Sequence, residues 1–203
     1  MSFQKSPVII LASASPRRAE LLRQLGIDFQ QCPVDLDESV QPGESPQDYV
    51  KRLALEKARA ASNLHAQVPS RLVLGSDTSV VLDGRIFGKP THEEQAMEML
   101  QALSGRVHQV MTGVALVAET QEPLVEVVIT RVRFRAIELA EMRAYWRTGE
   151  PRDKAGGYAI QGKGAVFIQQ IEGSYSGVMG LPLFETAAML RRSGYSLWPT
   201  EEE

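Results

Sequence analysis

The chain has 203 residues, 43% of them apolar, and 22 Lys and Arg against 25 Asp and Glu give a formal charge of −3. That length and apolar content suffice for one domain or for two lobes around a shared cleft, and the acidic balance excludes a protein that wraps nucleic acid or coats an anionic membrane. A single cysteine, Cys32, excludes an internal disulfide and a cysteine-cluster metal site and reads as core filler in a reducing cytoplasm, while the apolar stretch after Lys5 is too short for a signal-peptide core or a membrane span.

Val8 to Ala12 is an apolar run that reads as a buried strand. Ser15 follows as an N-cap and Pro16 as the first residue of a helix whose pattern runs from Ala19 to Leu25. Arg17 and Arg18 then fall in the first helical turn, where each cation opposes the helix dipole by roughly 0.3–1 kcal/mol. An anion reverses that penalty. Backbone amides, the hydroxyls of Ser13 and Ser15, and two guanidinium groups together suit phosphate. A capped helix with two solvated arginines is the plain alternative.

Gly26 ends this helix, Ile27 to Val34 reads as a second strand, and the loop from Asp35 to Ser39 is acidic. Within it Asp37 and Glu38 offer hard oxygen ligands for Mg²⁺ or Mn²⁺, although acidic loops are usually just solvated. Ser45, Pro46 and Asp48 open the next helix with a cap, a first-position proline and a carboxylate. Tyr49, Leu53, Ala60 and Leu64 form its apolar stripe, and Lys57 borders that stripe. Arg71 to Gly75 reads as a short strand ending at Ser76, Asp77 and Thr78. Ser79 to Leu82 and Arg85 to Phe87 flank Asp83-Gly84, a pairing that favours a two-residue hairpin. Gly88, Lys89 and Pro90 close the unit, and Thr91 to Glu94 reads as a capping box for a helix that stops before Gly105.

Two long strands are expected next, over Val107 to Glu119 and Leu124 to Ile137. In the second, Arg131, Arg133 and Arg135 alternate with apolar residues and read as a solvated face, since no aromatic residues interleave for base stacking. Glu138 to Thr148 is helical, Asp153 to Gly164 is glycine-rich, and Ala165 to Ile171 is strand-like. A last helix spans about Leu183 to Ser193, and Glu201 to Glu203 reads as a frayed tail. The pattern as a whole predicts an α/β fold, a mixed sheet flanked by helices with two lobes around a groove, spanning residues 1–203 as one domain.

Asp77, directly after a hydrophobic strand, is the leading catalytic carboxylate, because the carboxyl ends of strands face the ligand crevice in α/β proteins. An aspartate capping its own turn has the same sequence signature. Lys89 adds a positive charge on a rigid loop near it. Arginines, lysines and carboxylates at element ends are the equipment of metal-assisted phosphoryl or nucleotidyl chemistry. Other motifs fail. Gly157 to Lys163 has Walker-like spacing, yet Gly164 replaces the required Ser or Thr and a strand follows. GxGxxG and GxSxG patterns do not occur, and His65, His92 and His108 lack metal-ligand spacing, with His108 best placed in the core.

The stretches LASASPRR, LALEKA, GSDTSV, GKP, LSGRVHQVMTGVAL, DKAGGYAIQG and GSYSGVMGLPL, in that order from about Val8 to Gly194, resemble the Maf family of nucleoside triphosphate pyrophosphatases. The resemblance implies an elongated α/β fold similar to inosine triphosphate pyrophosphatases, with two lobes around a nucleotide cleft. It implies cleavage between the α- and β-phosphates with help from a divalent cation, Mg²⁺ or Mn²⁺. By the same resemblance Asp77 matches the proton acceptor, Arg17 and Arg18 the phosphate-binding arginines, Lys57 and Lys89 the cleft lysines, and Glu38 a metal-associated carboxylate that Asp77 joins. Ser13 and Ser15 stand among the substrate-binding residues.

Arg17, Thr78 and Gln161 match positions that separate subfamilies, and the Arg and Gln look like the branch acting on dTTP and UTP rather than the one acting on 7-methyl-GTP. A glutamine amide offers a donor and an acceptor to a pyrimidine imide edge, where glutamate would favour a donor-rich purine edge. Modified nucleotides are a rival substrate class, and a regulator of septum formation acting without turnover is the rival function. The expected partner is a nucleoside triphosphate, with no nucleic acid or membrane, a cytoplasmic location and a possible homodimer.

Overall fold

A computed structural model of the chain describes residues 7–198. Lys5 and the tail from Glu201 to Glu203 lie outside the described residues. In chain order, β1 (Val8–Leu11) leads into α1 (Pro16–Gln24), with Ser15 as the N-cap and Pro16 in the first turn, as the sequence suggests. Then come β2 (Phe29–Gln31), α2 (Pro46–Leu64), β3 (Arg71–Leu82), β4 (Arg85–Phe87), α3 (Glu93–Leu103), β5 (Val107–Ala118), β6 (Leu124–Phe134) and α4 (Leu139–Arg147). Three 3-10 turns, Glu150–Asp153, Ala155–Gly157 and Lys163–Phe167, carry the glycine-rich stretch to β7 (Ile168–Glu172). A short α5 (Tyr175–Met179), which the sequence does not announce, and α6 (Leu183–Arg192) complete the elements.

The described strands form one mixed sheet in the order β2-β1-β3-β5-β6-β7, with β4 paired to β3 alone. β1 is parallel to β2 and β3, and the remaining pairs are antiparallel. β3 organises the site. It is one continuous strand of 12 residues, not two short ones broken at Asp77. β5 covers one side of it from Leu72 to Val81. On the other side β1 pairs with Arg71 to Leu74 and β4 with Val80 to Leu82. Residues 75–79 therefore have no neighbouring strand there, and the sheet has a gap. Because β1 runs with β3 and β4 against it, the carboxyl ends of β1 and β4 point at one another across that gap.

Alternation along β3 sends its residues to two different layers. Leu72 and Leu74 join a core with α1 and α6, while Val80 and Leu82 join a second core with α3 and α4. The gap lies between these two cores. On the opposite face Val73 and Val81 pack under α2. That helix is rotated from the expected stripe: Leu64 is 64% exposed, and the buried face is Tyr49, Val50, Leu53, Ala54, Lys57, Ala58, Ala61 and Ser62. Small side chains let α2 lie almost on the sheet, and two glycines complete the approach. A Cβ on Gly75 would sit 2.2 Å from Ala54 O, and one on Gly113 2.2 Å from Val50 O.

Other local expectations need correction. The second strand is only three residues long. The N-cap of α3 is His92, whose ring accepts from the Gln95 amide, while Thr91 bonds the Gln95 side chain. Residues 165–167 coil as a 3-10 turn before β7 begins. β6 ends at Phe134, short of the expected Ile137; its Arg131 and Arg133 are exposed as a solvated face, and Arg135, just past the strand, pairs with Glu141 at 2.7 Å. Among the described residues no helix is long and apolar enough to cross a membrane.

Candidate active site

The gap in the sheet opens into a cavity of about 520 Å³. Its wall includes Ser13, Ser15, Arg17, Arg18, Glu38, Lys57, Asp77, Thr78, Lys89 and Gln161, so residues far apart in sequence meet at one place. Asp37 does not reach it; its carboxylate accepts from the Ser39 amide in an exposed turn at 2.9 Å. Each wall segment follows from the topology. Ala12 to Arg18 leave the carboxyl end of β1, Gly88 and Lys89 leave that of β4, and Asp77 and Thr78 belong to β3 itself. The crevice rule for α/β sheets therefore holds for β1 and β4. Asp77 lies mid-strand, so its polarity marks a strand interior facing a cavity.

Asp77 points to the α2 face. Lys57, on α2 between the Ala54 and Ala58 backbone atoms that approach Gly75, donates to Asp77 Oδ1 at 2.8 Å and to Glu38 Oε1 at 2.6 Å. One ammonium thus gathers two carboxylates, and both Lys57 and Asp77 are less than a tenth exposed. Burial, the largest single influence, would raise the Glu38 carboxyl, but the bond and charge of Lys57 with the charges of Lys89 and Arg18 together outweigh it and hold the group below its ordinary range. Helix α2 also pins the loop that carries Glu38. Tyr49 donates its hydroxyl to Glu38 O at 2.8 Å, and Arg52 binds Ser39 O at 3.1 Å and Glu44 at 2.6 and 2.8 Å. Burial, with Asp77 and Glu38 nearby, pushes the Tyr49 hydroxyl up to about 12, so it stays a donor. In the sequence Tyr49 reads as stripe filler, and its distance from Glu38 in the chain carries no signal of this bond.

Thr78 points to the opposite face, toward Arg18. Arg18 donates from Nε to Gly180 O at 2.8 Å, from Nη1 to Ser13 Oγ at 3.2 Å and from Nη2 to Thr78 Oγ1 at 3.4 Å. Three of the five guanidinium N–H groups are engaged, leaving two for a ligand. Burial lowers the Arg18 pKa, with Asp77 opposing the shift, so the cation is costly here and an anion would relieve that cost. Ser76 Oγ shares its proton between Gly180 O at 2.8 Å and Gly113 O at 2.9 Å. Thr112 Oγ1 donates to Gly177 O at 2.8 Å. Its only proton is spent there, so in the 2.9 Å contact between the two threonines Thr78 must be the donor. Toward the cavity Thr78 then offers one acceptor lone pair and no proton. Arg17 is held at the rim by Asp153 at 3.2 Å, and Asp153 also pairs with Lys154. Lys89 is exposed on the wall and has no ion-pair partner among the described residues.

His108 is not at the site. It is 2% exposed in the second core, packs edge-on against Phe134 and meets the Tyr158 hydroxyl at 2.8 Å.

A divalent cation fits the donor set. Glu38 and Asp77 already share one cation, and hard Mg²⁺ or Mn²⁺ is commonly bound by one or two carboxylates with substrate phosphates completing its shell. Among the described residues no group of three or more His, Cys, Asp and Glu could hold a metal by itself, so substrate phosphate oxygens and water would complete its shell.

The chain is 52% identical over 187 residues to the dTTP/UTP pyrophosphatase of Alkalilimnicola ehrlichii, covering 91% of this chain and 92% of that one. It is 51% identical over 191 residues to the dTTP/UTP pyrophosphatase of Saccharophagus degradans, covering 94% and 90%. Among solved structures it is similar to the Staphylococcus aureus Ham1 protein at 16% identity and a TM-score of 0.44, over 62% of this chain and 71% of the other. The family model described as Maf-like protein matches residues 8–193, and with half of the sequence shared across nine-tenths of both lengths in these relatives, the chain belongs to the Maf family.

Proposed function

We propose that this chain hydrolyses dTTP and UTP between the α- and β-phosphates, releasing the nucleoside monophosphate and pyrophosphate. The relatives that share half of its sequence carry that activity in their names. The observation that carries the reading is the pair of carboxylates, Glu38 and Asp77, gathered on Lys57 inside a sheet gap that Arg18 and Thr78 flank from the other face.

Asp77 Oδ1 is committed to Lys57, and Oδ2 has no hydrogen-bond partner among the described residues, so it takes the proton of the attacking water. Arg18 presents its two remaining N–H groups to the triphosphate. Arg17, Lys57 and Lys89 add charge that offsets the build-up on the phosphate oxygens and the leaving pyrophosphate. Ser13 and Ser15 hold the turn in which the arginines sit, Ser13 Oγ accepting from both the Ser15 amide and Arg18. A divalent cation bound by Glu38 and Asp77 would neutralise phosphate charge and make the water more acidic. Gln161 reads the pyrimidine imide edge with one donor and one acceptor, and Arg17 and Thr78 complete the discrimination.

The test is release of pyrophosphate and orthophosphate, assayed separately, from dTTP, UTP, CTP, GTP and 7-methyl-GTP with Mg²⁺ or Mn²⁺. Pyrophosphate from dTTP and UTP is expected. Preference for the methylated purine would retain the reaction and overturn the reading of Gln161, and orthophosphate alone would overturn the site of cleavage.

A further inference from the structure

Gln161 lies in a glycine-rich stretch with no regular element to hold it, yet two side chains behind the cavity fix that stretch on both sides. Tyr145, on α4 and 4% exposed, donates its hydroxyl to Glu150 Oε1 at 2.7 Å and accepts from Ala159 N at 3.0 Å. Glu150, in the first 3-10 turn, accepts from Lys163 N at 2.9 Å through Oε2 and from Gly164 N at 3.0 Å through Oε1. The bonds therefore bracket Gln161, on Ala159 before it and on Lys163 and Gly164 after it. Gly162 is where the cradle closes, since a Cβ there would lie 2.3 Å from Glu150 Oε2. The carboxylate sits directly against the backbone that follows Gln161. Neither Tyr145 nor Glu150 lines the cavity.

Resting on the reading of Gln161 as the base-recognising residue, we propose that Glu150 and Tyr145 are positioning residues for base selection. They set the height and orientation of the turn from Ala159 to Gly164, and through it the place where the Gln161 amide meets the base. Recognition of an imide edge needs a donor and an acceptor at fixed positions, and a displacement of about 1 Å is enough to cost on the order of a hundredfold in rate. A three-bond carboxylate cradle removes that freedom without touching the substrate. The glycine at 162 belongs to the same device, because any side chain there would push the carboxylate out.

The experiment compares kcat/KM for dTTP and CTP, whose bases differ at the edge a glutamine amide would read. It uses the wild type, Tyr145→Phe, Glu150→Gln, Gln161→Ala and the two double variants with Gln161→Ala. Tyr145→Phe and Glu150→Gln are expected to lower the dTTP-to-CTP ratio about tenfold, mostly through KM for dTTP. In the Gln161→Ala background they should lower it no further. Loss of rate that is equal for both nucleotides, or loss of selectivity that adds to that of Gln161→Ala, would overturn the assignment and leave the two residues as ordinary structural ones. If Glu150→Gln does not fold, Tyr145→Phe, which keeps the ring, decides alone. A wild type with no base preference would sink the reading of Gln161 itself, whereas a preference that survives in Tyr145→Phe sinks only the positioning role.

Discussion

Asp77, on the cavity wall, has two carboxylate oxygens with different surroundings, one held by Lys57 and one with no hydrogen-bond partner among the described residues. Asp77→Asn keeps an acceptor for Lys57 while removing the base, so kcat should fall on the order of 10²–10⁴-fold with little change in thermal midpoint. Near-normal turnover by that variant would take Asp77 out of the role. Thr112→Val tests the hydroxyl relay on the other face. It leaves Gly177 O without its donor and Thr78 without its acceptor, which should cost about 1–3 kcal/mol in urea unfolding. An unchanged unfolding midpoint would mean that water or another donor replaces the bond. At this scale Lys57 only borders the α2 stripe and is marked by the family resemblance, whereas Arg18, a cation against the helix dipole, and Asp77, a carboxylate directly after a hydrophobic strand, were legible in the sequence itself. Tyr49, Ser76 and Thr112 were not, since hydroxyls in a helix stripe or a strand look the same whether they hold a neighbouring turn or merely fill space.

The elements that carried local signals came through, and those defined by partners did not. Ser15-Pro16 and Ser45-Pro46 announce α1 and α2 because capping is settled within a few residues. The hairpin at Asp83-Gly84 is equally local, and both residues adopt positive φ. In the sequence β3 reads as two strands because GSDTS is polar and small. That segment stays extended because β5 pairs with it throughout, a contact made by residues more than thirty positions away. The buried face of α2 differs from the sequence pattern for a similar reason: alanines and a lysine face the sheet, and only the glycines opposite make such a thin interface fit. Gly75→Ala tests that fit. Its methyl would meet a backbone carbonyl of α2, which no rotamer change can relieve, so α2 must move and take Lys57 away from Asp77. We expect a loss of about 1–3 kcal/mol by urea denaturation together with a lower kcat. A variant with wild-type stability and rate would mean that the seating of α2 does not set the lysine–carboxylate contact.

At the scale of the whole molecule, acid stability separates the core from the site. Burial lowers the His108 pKa from its ordinary 6.5 to about 4, and its Nδ1 is buried without a partner, so the folded state holds the ring neutral. Between those values the unfolded chain binds a proton that the folded chain does not. Stability therefore rises with pH across that window, is complete above about 6.5 and is lost as pH falls toward 4, by about 3 kcal/mol in all. The lowered carboxylates act elsewhere. Glu38 and Glu141 have folded pKa values below their unfolded ones, the latter about 2, so their contributions are present above about 4.5 and fade only at lower pH. A series of urea denaturations from pH 7 to pH 5 thus isolates the histidine. His108 packs among Phe134, Tyr158 and the second core, so its protonation opposes global folding. The wild type should lose stability steadily over that range, and His108→Gln, which keeps a partner for the Tyr158 hydroxyl, should start lower and stay flat. A wild-type profile that is itself flat from pH 7 to pH 5 would show that water reaches the ring and that the second core is less closed than its packing implies.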